Sequence, residues 1–284
     1  MTRRIEETLH PGMAAAFEAE EVLHEGQSGA QGLCLIRNRI FGRMLFLDGV
    51  TQVTEADEFI YHEMLAHLPI LAHGAAHRVL IIGGGDGGMA EEVLKHRSVE
   101  RVTMVEIDPS VVEFSRRHLG AISKGAFDDP RLELVFADGA RFAAEAEPRF
   151  DVAIIDSTDP IGPGEALFTE AFYTDCRRLL APGGVLVTQN GVPFLQPEEL
   201  RQTMTVFRRI FAVPACYRAA VPSYVGGDMA FGWGSDARAP LEVPVETLAA
   251  RFAEAGLETR YYTPEVHKAA FVLPAFIRDL VEAG

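Results

Sequence analysis

The sequence predicts an α/β fold: a mostly parallel, Rossmann-like sheet preceded by a small N-terminal antiparallel β-domain. Three observations predict it. From Arg78 onward, short apolar runs alternate with amphipathic stretches of helical period, as in parallel strands joined by crossover helices. A glycine-rich turn, Gly83 to Gly88, follows the first of these runs and opens a helical stretch. Residues 20–55, by contrast, alternate apolar runs with turn residues, and Asp48-Gly49 between two such runs is a hairpin signal. We therefore expect a β-strand domain over residues 1–54 and a Rossmann-like domain over 55–284.

In chain order, the N-terminal strands are expected at 33–36, 41–47 and 50–53. Phe59, Ile60, Met64, Leu65 and Leu68 recur at the helical period and make 55–72 a connecting helix. Strands of the parallel sheet are expected at 79–82, 102–107, 132–136, 150–155 and 185–188, with helices starting near Gly88, Pro109, Gly139, Thr169 and Pro197. Residues 215–221 and 229–233 read as a strand pair closing the sheet. There is no internal repeat.

With 284 residues, 48% hydrophobic and 24% charged, the chain can bury a full core. Its first residues lack the apolar stretch of a secretory signal, and no apolar run approaches the ~18 residues of a membrane span. Cys34, Cys176 and Cys216 are odd in number, far apart and in no metal-ligand spacing, which fits free thiols and a cytoplasmic location. The net charge of -15 opposes both a phosphate backbone and an anionic membrane surface, so neither is an expected partner. An acidic balance alone is an ordinary solubility device, so the placement of the acids has to decide what it means.

That placement is informative. Gly83, Gly85 and Gly88 form Gly-x-Gly-x-x-Gly at a strand-helix turn, where bare backbone lets a nucleoside approach a helix N-terminus. Glu106 ends the next strand, 20 residues after Asp86, where a carboxylate can accept hydrogen bonds from ribose hydroxyls. Asp86 within the turn would repel a pyrophosphate, which argues against a dinucleotide and for a cationic ligand tail. A relative of S-adenosylmethionine without its carboxylate fits best. Asp138, Asp156 and Asp159 follow later strands. One such acid could be a helix cap, but five in one crevice, with Asp86 and Glu106, disfavour their own ionisation unless cations answer them. A di- or polyamine would do so.

Two other patterns carry less. His62 and His67 are five residues apart and point ~140° apart on a helix, which does not suit zinc. His73 and His77 flank Gly74 in an apparent loop and read as surface residues. No serine or cysteine sits in a nucleophile-elbow context.

Taken together, the segments 57–64, 83–88, 106–108, 138–139 and 156–163 resemble the spermidine synthase family of polyamine aminopropyltransferases, most closely its bacterial members, over about residues 31–276. The resemblance implies a fold like that of S-adenosylmethionine methyltransferases. It also implies aminopropyl transfer from decarboxylated S-adenosylmethionine to putrescine, giving spermidine and 5′-methylthioadenosine, with no prosthetic group or metal, in a homodimer or homotetramer. Matched by position, Gln31, Glu106, Asp138, Gly139 and Pro163 resemble methylthioadenosine contacts, alongside the Gly83 and Gly85 turn. Asp86 resembles the anchor of the aminopropyl ammonium. Tyr61, His62, Asp159 and Tyr224 resemble polyamine positioners, Gln189 a further polar residue facing the amine, and Asp156 the proton acceptor. Ala56 and Glu91 stand where relatives often carry Arg, and Gly164 where Ala is frequent.

Other functions are weaker fits. A methyltransferase should hold its donor carboxylate with no Asp86 beside it, and a nicotinamide oxidoreductase matches the glycine turn but not the acids. A non-catalytic polyamine or nucleoside binder would release no methylthioadenosine. For the acceptor, agmatine, cadaverine and spermidine are alternatives to putrescine.

Overall fold

The computed structural model describes residues 3–28, 31–147, 149–160 and 162–283, without the side chains of Ser28 and Pro163. Strands β1 (Arg3–Glu7) and β2 (Ala15–Ala19) pair antiparallel. They are absent from the sequence expectation because they are short and charged, with only Phe17 and Ala19 buried. Next come β3 (Glu21–Ser28), β4 (Gln31–Asn38), β5 (Gly42–Leu47) and β6 (Val50–Thr54), an antiparallel sheet in chain order. The turn between β5 and β6 is Asp48-Gly49, both left-handed at φ 49° and 80°. Leu33, Leu35, Leu45, Leu47 and Val53 pack onto Phe114, Leu119 and Ile122 of the following domain. Ile36, Met44 and Phe46 pack against Phe17 and Ala19.

Helix α1 (Glu58–His73) leads into the large sheet. There, β7 (Arg78–Gly83), α2 (Gly88–Leu94), β8 (Arg101–Glu106), α3 (Pro109–His118), α4 (Gly120–Ser123) and β9 (Leu132–Phe136) run outward to one edge. The chain then returns through α5 (Gly139–Glu145) to β10 (Phe150–Asp156) on the other side of β7, and continues with α6 (Glu170–Arg178), β11 (Leu180–Gln189) and α7 (Pro197–Ile210). Strands β12 (Val213–Ala220) and β13 (Asp228–Ser235) complete the order β12-β13-β11-β10-β7-β8-β9, with β13 alone running antiparallel to its neighbours. The sheet is buried on both faces, which explains its unbroken apolar strands. Val79, Ile81, Val152 and Ile154 face one core, and Leu80, Ile82, Ala153 and Ile155 the other. The order reverses between β7 and β10, where Gly83 pairs with Asp156. A ligand crevice forms at such a switch point, beyond the carboxyl ends of the strands.

Helix α1 connects the two sheets as expected, and it corrects one expectation. All its residues except Phe59 are buried, so it is a core helix. His73 lies in its last turn and is buried, with Gly74 as its left-handed cap, whereas His77 is exposed as expected. The buried Glu63 accepts the backbone N–H groups of Arg260, Tyr261 and Tyr262 at 2.7–2.8 Å. It thereby ties α1 to the segment before α9 (Pro264–Ala270), which lies between α8 (Val245–Ala255) and α10 (Ala275–Glu282).

Asp57 joins three parts of the molecule ahead of α1. Its Oδ1 accepts from Thr54 Oγ1 at 2.6 Å and Ser223 Oγ at 3.1 Å, and its Oδ2 from Ser223 N–H at 2.7 Å. The end of the N-terminal sheet, the start of α1 and the loop carrying Tyr224 are thus pinned together. Asp57→Ala leaves three buried donors unanswered and should lower unfolding stability by about 1–3 kcal/mol. Urea denaturation reads this directly, and an unchanged midpoint at unchanged slope would contradict the assigned role.

Candidate active site

The crevice at the switch point is a cavity of about 220 Å³. Its lining brings together Gln31 from β4, Gly83–Gly85 of the glycine turn, Glu106, Asp138 and Gly139 on one side, and Tyr61, His62, Asp86, Asp156, Asp159, Gln189 and Tyr224 on the other. Every site residue expected from sequence therefore meets here, except that the side chain of Pro163 lies outside the described residues.

On the first side, Gly83 has φ 91°, and a Cβ there would collide with the Asp156 carbonyl oxygen. At Gly85 a Cβ would sit 2.9 Å from Glu106 Oε2, so only glycine leaves that carboxylate accessible. Glu106 is 8% exposed, and its Oε1 accepts Asp108 N–H at 3.0 Å. Burial raises its pKa against the opposing backbone hydrogen bonds. Asp138 does cap α5, accepting Arg141 N–H at 3.0 Å through Oδ1, yet it also lines the cavity. This half has the shape and acceptors to hold a nucleoside.

The second side is anionic. Tyr61 donates its hydroxyl to Asp156 Oδ1 at 2.7 Å, while the Asp156 carbonyl accepts Gly84 N–H at 3.1 Å. Asp86 Oδ1 accepts Gly88 N–H at 2.7 Å, and its Oδ2 lies 3.7 Å from His62 Nε2. The other ring nitrogen, His62 Nδ1, lies 2.7 Å from Glu58 Oε2. Burial would hold His62 neutral, but Asp86 and Glu58 outweigh it and raise its pKa to about 10, making it an imidazolium. The crevice thus carries a cation of its own at His62, beside the Asp86 and Glu58 carboxylates. Burial pushes Asp156 up to about 6, the His62 charge opposing and the Asp86 charge adding to it. The Tyr61 and Tyr224 hydroxyls are held well above their ordinary value, chiefly by burial, and stay neutral donors.

The neighbours of these groups are fixed in turn. Tyr224 donates to the Gln52 carbonyl at 2.6 Å, and its ring meets that of Tyr61 edge-on, 6.0 Å between centroids. Gln189 donates to the carbonyls of Ser157 and Thr158 at 3.2 and 3.3 Å and accepts Gly191 N–H at 2.9 Å, so its amide holds the loop between Asp156 and Asp159. Asp159 accepts from Gln196 Nε2 at 2.7 Å. Sequence reasoning missed Glu58 and Gln196. The four-residue spacing of Glu58 and His62 was a signal for the first, whereas nothing local marks Gln196. Among the described residues, no group of three or more His, Cys, Asp or Glu side chains is arranged to hold a metal ion.

Residues 58–243 match the family model of the spermine/spermidine synthase domain, and residues 4–55 that of the spermidine synthase tetramerisation domain. The polyamine aminopropyltransferase of a Ruegeria species is 58% identical over 274 residues, covering 96% of each chain. Polyamine aminopropyltransferase 1 of Pseudomonas aeruginosa is 57% identical over 276 residues, covering 97% of this chain and 96% of its own. A crystal structure of spermidine synthase in complex with the transition state analogue AdoDATO superposes with a TM-score of 0.93 at 36% identity, covering 99% of this chain and 96% of that one. The spermidine synthase of Thermotoga maritima superposes with a TM-score of 0.90 at 35% identity, covering 99% and 95%.

The raised pKa of Asp156 has a consequence for pH dependence. A base works only when deprotonated, so any proton transfer to Asp156 should fail as pH falls through about 6, well above the ~3.9 of an ordinary aspartate. The pH profile of kcat/KM should show that acidic limb, and Asp156→Asn should abolish it while lowering the rate by ~10²–10⁴. An unchanged limb in the variant would assign it to another group.

Proposed function

This chain belongs to the spermine/spermidine synthase family of polyamine aminopropyltransferases, and from that premise we propose that it is a spermidine synthase. It transfers the aminopropyl group of decarboxylated S-adenosylmethionine to putrescine and releases spermidine and 5′-methylthioadenosine. The observation that carries this reading is the unlike setting of two neighbouring aspartates. Asp86 faces the His62 imidazolium and a backbone N–H, whereas the half-buried Asp156 is bonded to Tyr61 and close to half-protonated near pH 6. One suits holding a cation and the other taking up a proton.

The chemistry follows. An amine nitrogen attacks the aminopropyl carbon next to sulfur, the C–S bond breaks, and the neutral thioether leaves. An alkylamine titrates near the ~10.4 of lysine, so forming the neutral nucleophile at pH 7 costs roughly 4–5 kcal/mol. The sulfonium lowers the attacking amine's pKa, and Asp156 takes its proton. Asp86 holds the ammonium of the donor, Asp159 the remote ammonium of the acceptor, and Glu106 the ribose. Tyr61 and Tyr224 line the path between the aspartates, and most of the remaining acceleration comes from positioning. In this proposal residues 1–54 form the domain through which the chain assembles as a homodimer or homotetramer, a reading supported by the match to a tetramerisation domain. The enzyme works in the cytoplasm. Among the described residues no helix is long and apolar enough to cross a membrane.

Mass spectrometry of products over a panel of amines tests the reaction, with methylthioadenosine expected in step with spermidine. Two outcomes are specific to the geometry. By calorimetry, S-adenosylmethionine should bind far more weakly than its decarboxylated form, and Asp86→Asn should narrow the gap; equal binding to the unmutated enzyme would refute the role of Asp86. Butylamine, which lacks a remote ammonium, should fall short of putrescine in kcat/KM by about a hundredfold or more. Comparable values would remove Asp159 as the anchor.

A further inference from the structure

At the acceptor end of the cavity, beyond Asp159, one amide nitrogen lies between two carboxyl groups. Gln196 Nε2 donates to Asp159 Oδ1 at 2.7 Å and to Glu199 Oε2 at 3.3 Å, while Gln196 Oε1 accepts Val192 N–H at 2.9 Å. The amide is seated tightly, since a Cβ at Gly191, itself at φ 59°, would come within 2.6 Å of Gln196 Oε1. Glu199, in the first turn of α7, is only 8% exposed, and its Oε1 has no hydrogen-bond partner among the described residues. A helix N-terminus accounts for an exposed acid there, but not for a buried carboxyl oxygen left unanswered. Burial, with the charge of Asp159, pushes the Glu199 carboxyl up to about 8, so it sits mostly protonated at neutral pH, with no cation paired to it among the described residues.

We propose that Gln196 is the stop that sets the length of the diamine acceptor, and that Glu199 behind it is a second carboxylate able to anchor the distal ammonium of a longer one. This rests on the reading that Asp159 holds the remote ammonium. The amide occupies the place an ammonium would take between the two carboxyl groups, but it is neutral. An acceptor must therefore end one contact short, on the oxygens of Asp159 that face the cavity. Without the amide, an ammonium with three donors reaches Asp159 and Glu199 together and draws Glu199 into its ionised form. In the native enzyme Glu199 thus acts through Gln196, as a positioning residue.

The test is kcat/KM over straight-chain α,ω-diamines of increasing length, with thermal unfolding and methylthioadenosine binding as checks on folding. The unmutated enzyme should show one preferred length. In Gln196→Ala the optimum should move to a longer diamine, with the ratio of longer to originally preferred acceptor rising about tenfold per fitted methylene. The rise should come mainly through KM for the longer acceptor. Adding Glu199→Gln to that variant should erase the gain, because an amide cannot answer the ammonium charge. Gln196→Ser carries the same expectation should the alanine variant fail to fold. An optimum that stays in place in a folded Gln196 variant overturns the inference, as does a gain that survives Glu199→Gln. A native enzyme that uses no diamine would instead refute the proposed function.

Discussion

The pairing of Gly83 with Asp156, across the line where the sheet reverses its order, is the constraint on which the site depends. It puts the carbonyl of Asp156 against Gly84 N–H and its side chain toward the Tyr61 hydroxyl. A side chain at Gly83 would strike that carbonyl, so the glycine turn and the aspartate strand end are a single packing requirement. With β7 and β10 locked in this register, the turn holding Asp86 and the loop holding Asp159 open onto the same cavity. The N-terminal sheet closes it by way of Gln52, whose carbonyl holds Tyr224.

Electrostatics then separates groups of the same chemical type. Like charges buried together cannot all remain ionised without compensation. The compensating cation supplied by the chain is the His62 imidazolium, which Glu58 and Asp86 hold charged against its burial. Asp156 receives its hydrogen bond from a neutral phenol, and desolvation costs its charge more than His62 returns. One carboxylate is thereby kept for binding and the other for proton uptake, from identical side chains in different surroundings.

Much of this was legible in the sequence, for identifiable reasons. The central strands announce themselves because burial on both faces requires unbroken apolar runs, and the acids after them fall in the crevice because parallel strands end on one side. The first two strands were not legible, since Arg3–Glu7 is charged and buries almost nothing. The full burial of helix α1 was not legible because its polar residues find partners distant in sequence: His67 Nε2 lies 3.0 Å from Glu92 Oε2, and Glu63 binds backbone beyond residue 259. His73 was misplaced because the helix runs on through it to Gly74 and buries it in its last turn, where its Nδ1 accepts only the nearby Ala75 N–H among the described residues. Gln196 and Glu199 look from sequence like an ordinary helix start, and only the packing of α7 against the loop after β10 gives Gln196 a place at the cavity with Glu199 behind it. Gln189, expected to face an amine, has its amide engaged by backbone on both sides.

The division of roles requires Asp156 to titrate near 6 while still folded into its hydrogen bond with Tyr61. Carbon-13 NMR titration of enzyme labelled at the aspartate side-chain carboxyls, compared with the same spectra of Asp156→Asn, measures this without recourse to turnover. The account predicts one carboxyl resonance with a midpoint near 6 that disappears in the variant. If every aspartate resonance titrates in the ordinary range around ~3.9, the division of roles between Asp86 and Asp156 is wrong.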